Sequence, residues 1–188
     1  QWFLPETKKT ALPSDLTDVT RTGGKEVMLR PESHGQMVAT SGEEQRLDVV
    51  FPVLHGGFGE DGTIQGLLRL SGVPFVGAGV LGSAIGMDKD VMKRLLRAAG
   101  IPVARFLAIR QGTAPSYESV VASLGSPFFL KPANAGSSVG VHKVRSESEY
   151  DEALVDAFLY DTKVLLEEYI FGREIEVSVL WNDQPMAS

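Results

Sequence analysis

Phe128-Phe129-Leu130-Lys131-Pro132, followed closely by Gly136-Ser137-Ser138-Val139-Gly140, sets a lysine at a strand end beside a loop of small residues. Gly136 and Gly140 let the backbone approach an anion closely, and successive N–H groups in such a turn form an anion-binding concavity. The two serines add hydroxyl donors, and Lys131 adds a compact positive charge. Together they fit a grip on a polyphosphate. A Gly/Ser hairpin loop beside an exposed lysine fits the same text and needs no ligand. Short glycine motifs cannot separate these readings alone, so the flanking sequence has to decide.

On either side of this stretch, close strand pairs alternate with helices. Upstream come a strand at Val103–Ile109, a helix at Tyr117–Leu124 and a strand at Pro127–Lys131. Downstream, Val141–Val144 reads as a strand, and Ser146 with Glu149 forms a capping box for a helix to about Tyr160. Strands follow at Lys163–Tyr169 and Glu174–Trp181. Short loops between strands imply antiparallel pairing on an α+β layer.

Nearer the N-terminus the pattern differs. Leu47 to Leu54 is a nearly continuous apolar run, as expected of a strand buried on both faces, and it ends at His55-Gly56-Gly57. Glu60 and Asp61 suit a helix N-terminus, and Ile64, Leu67 and Leu68 recur at helical spacing up to Gly72. Val73–Gly77 reads as the next strand, which makes a βαβ unit and part of a parallel sheet. Asp88 caps a further helix from Lys89 to Ala99, with Val91, Leu95 and Ala98 on one face. The fold class expected is therefore α/β followed by α+β, in two portions, 1–88 and 89–188. Residues 1–46, rich in Thr, Ser, Gly and charge, show only Val27-Met28-Leu29 as a short strand.

Composition narrows the function. A chain of 188 residues with 43% hydrophobic content can bury a sizeable core. Eighteen basic against 24 acidic residues give a net charge of -6, which disfavours nonspecific nucleic-acid and anionic-membrane binding. The absence of cysteine removes disulfides, thiolate metal sites and cysteine nucleophiles. Gln1-Trp2-Phe3-Leu4-Pro5 does not read as a signal peptide, and Val49–Leu54 is too short to span a bilayer, so a cytoplasmic protein is expected.

The last strands carry further acceptors. Val164-Leu165-Leu166-Glu167-Glu168-Tyr169-Ile170 is an apolar strand that turns acidic near its end. In the next strand Ile175, Val177, Val179 and Trp181 alternate inward, which leaves Glu174 and Glu176 on the opposite face. Both can simply face water. For Glu167 and Glu174 a second reading exists: an adenosine presents an exocyclic amine and ribose hydroxyls, donors that suit carboxylates and strand carbonyls.

Lys-Pro, then Gly-Ser-Ser-x-Gly, then Glu-Glu-Tyr-Ile and Gly-Arg-Glu, in that order, resembles the ATP-grasp ligases, and within them the D-alanine–D-alanine ligases. The match extends upstream through His55-Gly56-Gly57-Phe58-Gly59-Glu60-Asp61-Gly62 and Met87-Asp88-Lys89, and covers most of Leu47 to Ser188. The resemblance implies part of a parallel-sheet N-terminal domain followed by a central ATP-grasp subdomain. It implies that Lys89 and Lys131 hold the ATP phosphates, and that Ser137, Ser138, Val139 and Gly140 belong to a flap over them. Glu167 would meet the adenine amine, the backbone of Glu168, Tyr169 and Ile170 would form the adenine edge, and Glu174 would bind the ribose. Ser137, His55 and Glu60 would order the amino-acid site.

The implied reaction joins two D-alanines through an acyl phosphate, for peptidoglycan precursor synthesis, with ATP and Mg2+ and in a homodimer. The family's N-terminal glycine-rich loop, with its substrate-binding glutamate, is not found in residues 1–46. Its magnesium ligands, catalytic arginine and closing loop are expected beyond Ser188. The chain is therefore expected to be an interior portion of a longer enzyme, inactive alone. Another ATP-grasp carboxylate–amine ligase and a noncatalytic nucleotide-binding module remain alternatives. Gly77-Ala78-Gly79-Val80-Leu81-Gly82 also matches a dinucleotide fingerprint, but Gly82 and Gly86 should interrupt its helix and no acid follows about twenty residues on.

Overall fold

A computed structural model of the protein describes residues 2–5, 24–180 and 184–188. The first elements are β1 (Trp2–Pro5), β2 (Gly24–Leu29), β3 (Gln36–Ala39) and β4 (Glu44–Arg46), an antiparallel sheet in sequential order. This sheet replaces the nearly featureless N-terminal portion expected. Its strands are short, and β4 is exposed throughout, so backbone pairing holds them with little apolar alternation to betray it. Val27, Met37 and Ala39 form its small core.

Leu47–Leu54 is not a strand buried on both faces. Its contact with Val73–Gly77 is a single parallel bridge, Val50 to Phe75, closed by Val50 N–H to Pro74 O at 2.9 Å and Val76 N–H to Val50 O at 2.9 Å. Val49, Phe51 and Val53 are exposed, because among the described residues no second strand or helical layer covers them. The parallel relation expected of the βαβ unit is thus present as one bridge, and the described sheets are antiparallel. Between the bridged segments runs α1 (Thr63–Leu70), which packs Ile64 and Leu68 beneath Val73.

Two helices follow. α2 (Val80–Met87) opens directly after Gly79, so Gly82 and Gly86 do not interrupt it. The cost of a helical glycine, about 1 kcal/mol relative to alanine, is small enough for packing against α1 and α3 to override. α3 (Lys89–Ala98) is capped as expected, with Asp88 Oδ1 accepting from the N–H groups of Asp90 and Val91 at 3.1 Å. Its apolar face does not enter the core, however: Val91, Leu95 and Ala98 are exposed, while Asp90 and Lys93 are buried. The buried face is charged because it meets ionic partners on the central sheet.

That sheet comprises β5 (Phe106–Arg110), β6 (Phe128–Pro132), β7 (His142–Val144) and β8 (Lys163–Glu168), in the antiparallel order β5-β8-β6-β7. On one face lie α4 (Tyr117–Leu124) and α5 (Glu147–Ala157). Phe128, Leu130, Val144, Val164 and Leu166 pack there against Val120, Tyr150 and Ala153. The capping box at α5 is half formed. Ser146 Oγ accepts the Glu149 N–H at 3.3 Å, but the Glu149 carboxylate turns to the Arg145 N–H at 2.7 Å.

The strand expected at Glu174–Trp181 shrinks to β9 (Val179–Leu180), paired with β10 (Met186–Ala187). Trp181 lies outside the described residues. Ile175, Val177 and Val179 are exposed rather than inward-facing, and Glu174 and Glu176 are exposed with them. A strand needs a neighbour for its backbone groups, and among the described residues only β10 supplies one.

Candidate functional site

The second face of the central sheet carries the charged cluster. Because the strands are in register, Phe106, Glu167 and Phe129 lie side by side across β5, β8 and β6. Glu167 is only 9% exposed, which requires compensation of its charge. Lys131 Nζ donates to its Oε1, and Lys93 Nζ lies 2.5 Å from its Oε2. Lys131 also lies 5.8 Å from the Phe129 ring centre and Lys93 5.2 Å from that of Phe106. Lys93 is a site residue that the sequence reading missed. Its signal was present, since Lys89 and Lys93 are four apart and so share one face of α3.

Lys89 reaches the end of β6 from the first turn of α3. Its ammonium donates to the carbonyls of Pro132 at 3.2 Å, Ala133 at 3.3 Å and Ala135 at 2.6 Å. Burial, then the neighbouring Lys131 charge, lowers its pKa from the ordinary lysine value, despite opposing help from Asp161, Asp88 and Glu167. Two cations therefore converge where β6 runs into the glycine-serine loop. In that loop Ser137 (φ 49°) and Ser138 (φ 59°) both take the left-handed conformation, and both are exposed. Consecutive non-glycine residues in that region are unusual and mark a backbone held by its surroundings.

The loop meets the His55 segment. A methyl group on Gly136 would lie 3.5 Å from Glu60 Oε2 and 3.6 Å from the Gly56 Cα. Glu60 folds back so that Oε2 accepts the Gly56 N–H at 2.6 Å, while Asp61 accepts from Phe58 and Thr63. Burial would raise the Asp61 carboxyl, but the hydrogen bonds from Phe58 and Thr63 outweigh it and leave the pKa lowered. His55 is exposed and lines a cleft of about 310 Å³ with Phe58, Ile64 and Leu67.

At the other end of β8 the expected adenine edge is only partly free. The Glu168 carboxylate is bound to Arg105, through Nε at 2.5 Å and through the backbone N–H at 2.7 Å. The Glu168 N–H donates to the Arg105 carbonyl at 3.0 Å. Tyr169 packs 5.9 Å from the Phe129 ring and lies 3.6 Å beneath Lys143 Nζ. Ile170 is 63% exposed. Val139 is exposed at the loop tip, and Gly140 closes the loop at φ 66°. The structure does not bring Glu174 into the cluster; it stays exposed in the segment after Ile170. Among the described residues no group of three or more His, Asp, Glu or Cys side chains is arranged to hold a metal ion. Among them, too, no helix is long and apolar enough to cross a membrane.

Solved structures that share this fold include ligases. The D-alanine–D-alanine ligase of Coxiella burnetii superposes with a TM-score of 0.83 at 37% identity, over 94% of this chain and 52% of that one. The VanG D-Ala:D-Ser ligase of Enterococcus faecalis gives a TM-score of 0.78 at 37% identity, over 89% of this chain and 49% of that one. In sequence the chain is 51% identical to D-alanine–D-alanine ligase A of Chromobacterium violaceum over 173 residues, 89% of this chain and 47% of that protein. It is 45% identical to the D-alanine–D-alanine ligase of Shouchella clausii over 100% of this chain and 53% of that protein. The D-ala D-ala ligase N-terminus model matches residues 1–78, and the D-ala D-ala ligase C-terminus model matches residues 95–188. The chain belongs to the D-alanine–D-alanine ligase family. It spans about half the length of the curated relatives it matches.

Proposed function

We propose that this chain serves the ATP-dependent joining of two D-alanines to D-alanyl-D-alanine, a precursor for peptidoglycan, without completing the reaction alone, with residues 89–188 on the nucleotide side and 1–88 on the amino-acid side. The observation that carries this reading is the convergence of Lys89 and Lys131 on the turn from β6 into the glycine-serine loop. Both ammonium groups are held there by protein acceptors that a polyphosphate can replace. In this proposal they take the β- and γ-phosphates, while Ser137 and Ser138 close over them. Glu167 and the carbonyl of Glu168 receive the adenine amine, the backbone of Tyr169 and Ile170 completes the adenine edge, and Glu174 reaches the ribose once its segment folds inward.

The chemistry is mainly positioning and charge neutralisation. The carboxylate of the first D-alanine attacks the γ-phosphorus and ADP leaves. The amine of the second D-alanine then attacks the acyl carbon and phosphate leaves. Ser137, His55 and Glu60 orient the amino acids, which the approach of Gly136 to Gly56 and Glu60 allows. Magnesium, when bound, neutralises charge on the phosphates. The same proposal includes a homodimer, measurable by sedimentation.

The test is ATP titration into the purified protein, with any product of ATP, D-alanine and magnesium identified by mass spectrometry. Adenosine-nucleotide binding is expected of this chain without turnover, and D-alanyl-D-alanine formed by it would overturn the expectation that it is inactive alone. Unchanged ATP affinity in Lys131→Ala would count against the nucleotide site. The acceptor needs its own comparison of D-alanine, D-serine and D-lactate, because solved ligases named for D-alanine and for D-serine match at the same 37% identity.

A further inference from the structure

Glu167 has two lysine partners, and they are not equivalent. Lys93 is 8% exposed, rises from the middle of α3, forms an ion pair with Glu167 Oε2 and donates a hydrogen bond to the Ala104 carbonyl at 3.2 Å. Its side chain also lies over Phe106. The Lys131 side chain is 21% exposed and stands beside the loop of the proposed phosphate site. A buried lysine is costly unless its charge is compensated.

We infer that Lys93 is a positioning residue for nucleobase recognition: it is the fixed counter-ion that holds the Glu167 carboxylate in place, whereas Lys131 is the exchangeable one. This rests on the nucleotide site proposed above. Arriving phosphates draw Lys131 away from Oε1, which frees that oxygen to accept an exocyclic amine. Lys93 stays on Oε2, so the carboxylate is not left buried without a cation. Guanine presents a carbonyl where adenine presents its amine, and a carboxylate aimed there attracts one and repels the other. Among the described residues Lys93 and Lys131 are the cations in ion-pair contact with Glu167, so without Lys93, freeing the acceptor oxygen would leave the buried carboxylate with no cation in direct contact.

The experiment compares equilibrium binding of ATP and GTP to the wild-type protein, Lys93→Gln, Lys93→Met, Glu167→Gln, and Lys93→Gln combined with Glu167→Gln. Lys93→Gln keeps a donor for Ala104 and so protects the fold; Lys93→Met keeps length alone. Both variants should lose about tenfold in ATP affinity, the scale of one charge-assisted hydrogen bond, with a much smaller loss for GTP. The ATP/GTP preference should therefore fall. In the Glu167→Gln background, Lys93→Gln should leave that preference unchanged. Equal losses for the two nucleotides would reduce Lys93 to a structural role and overturn the inference while leaving the nucleotide site standing. A wild-type protein that binds neither nucleotide would overturn both.

Discussion

The Lys163 ammonium lies 2.6 Å from Asp88 Oδ2, tying the first residue of β8 to the residue that caps α3. Asp88 thus has two duties, because its Oδ1 holds the first N–H groups of the helix that carries Lys89 and Lys93.

These duties can be separated. Asp88→Asn keeps a capping oxygen and deletes the ion pair, while Asp88→Ala deletes both. The alanine variant should be less stable than the asparagine variant by about 1 kcal/mol, the usual worth of an N-cap. Burial would raise the Asp88 carboxyl, but the Lys163 hydrogen bond and the N–H groups of Val91 and Asp90 leave its pKa lowered. A depressed carboxyl contributes stability above its unfolded value of 3.8, which is lost as pH falls through the folded value. Urea melts from pH 7 to pH 2 should show a steeper acid loss in wild type than in Asp88→Asn, and parallel curves would contradict this.

How far the molecule was legible depended on what each segment packs against. α4 falls at Tyr117–Leu124, where its spacing placed it, and β6 alternates buried and half-buried residues. In both, local pattern and tertiary environment agree. The apolar run at Leu47–Leu54 misled because continuous hydrophobicity signals burial on two faces, and here only one bridge meets it. β4 was invisible for the opposite reason, since Glu44, Gln45 and Arg46 are all polar and exposed and carry no apolar alternation. Within the candidate site, Lys131 and the glycine-serine loop were readable as a motif. Lys93 shares a helix face with Lys89, but that spacing alone did not single it out, because a lysine on an amphipathic helix reads as solvated until the buried Glu167 beside it is known.

Gly140 should tolerate no side chain. At φ 66° its added Cβ would lie 2.8 Å from both Pro132 Cγ and Tyr160 Cδ2. Gly140→Ala should cost about 1–3 kcal/mol through backbone strain and overpacking. Gly136→Ala meets only ordinary contacts, at 3.5 Å or more, and should change stability by about 0.5 kcal/mol or less. Thermal melts of the two variants provide the check; equal shifts would show that the loop accommodates both positions alike.

Tyr150 should make the central layer sensitive to alkali. It is 2% exposed, donates to the Pro115 carbonyl at 3.0 Å and meets Phe128 edge-on at 5.8 Å between ring centres. Burial, with a smaller push from Asp151, raises the phenol to about 12 from 10.0. A raised value means that the stability of the neutral phenol is present below pH 10 and is lost as pH rises toward 12. Tyr150→Phe should lose about 1 kcal/mol at neutral pH with the hydrogen bond, yet show a shallower decline above pH 10. Absorbance titration at alkaline pH reads the phenol directly, and ionisation at the ordinary tyrosine value would refute the assignment.

Lys89 supplies the clearest link between electrostatics and ligand binding. Burial and Lys131 together favour its neutral form, so its pKa in the fold lies below 10.5. Folding therefore disfavours the charged group, and that cost disappears as pH rises through the lowered value toward 10.5. A bound polyphosphate reverses the preference by supplying negative charge. ATP binding should accordingly take up a proton at pH values above the lowered lysine value, and affinity should fall as pH rises through it. Calorimetry in buffers of different ionisation enthalpy would measure the uptake. Lys89→Met should abolish it and weaken ATP binding about tenfold to a hundredfold, the range for one charge-assisted hydrogen bond. Heats of binding that are independent of the buffer in the wild-type protein, across the alkaline range, would remove Lys89 from the phosphate site.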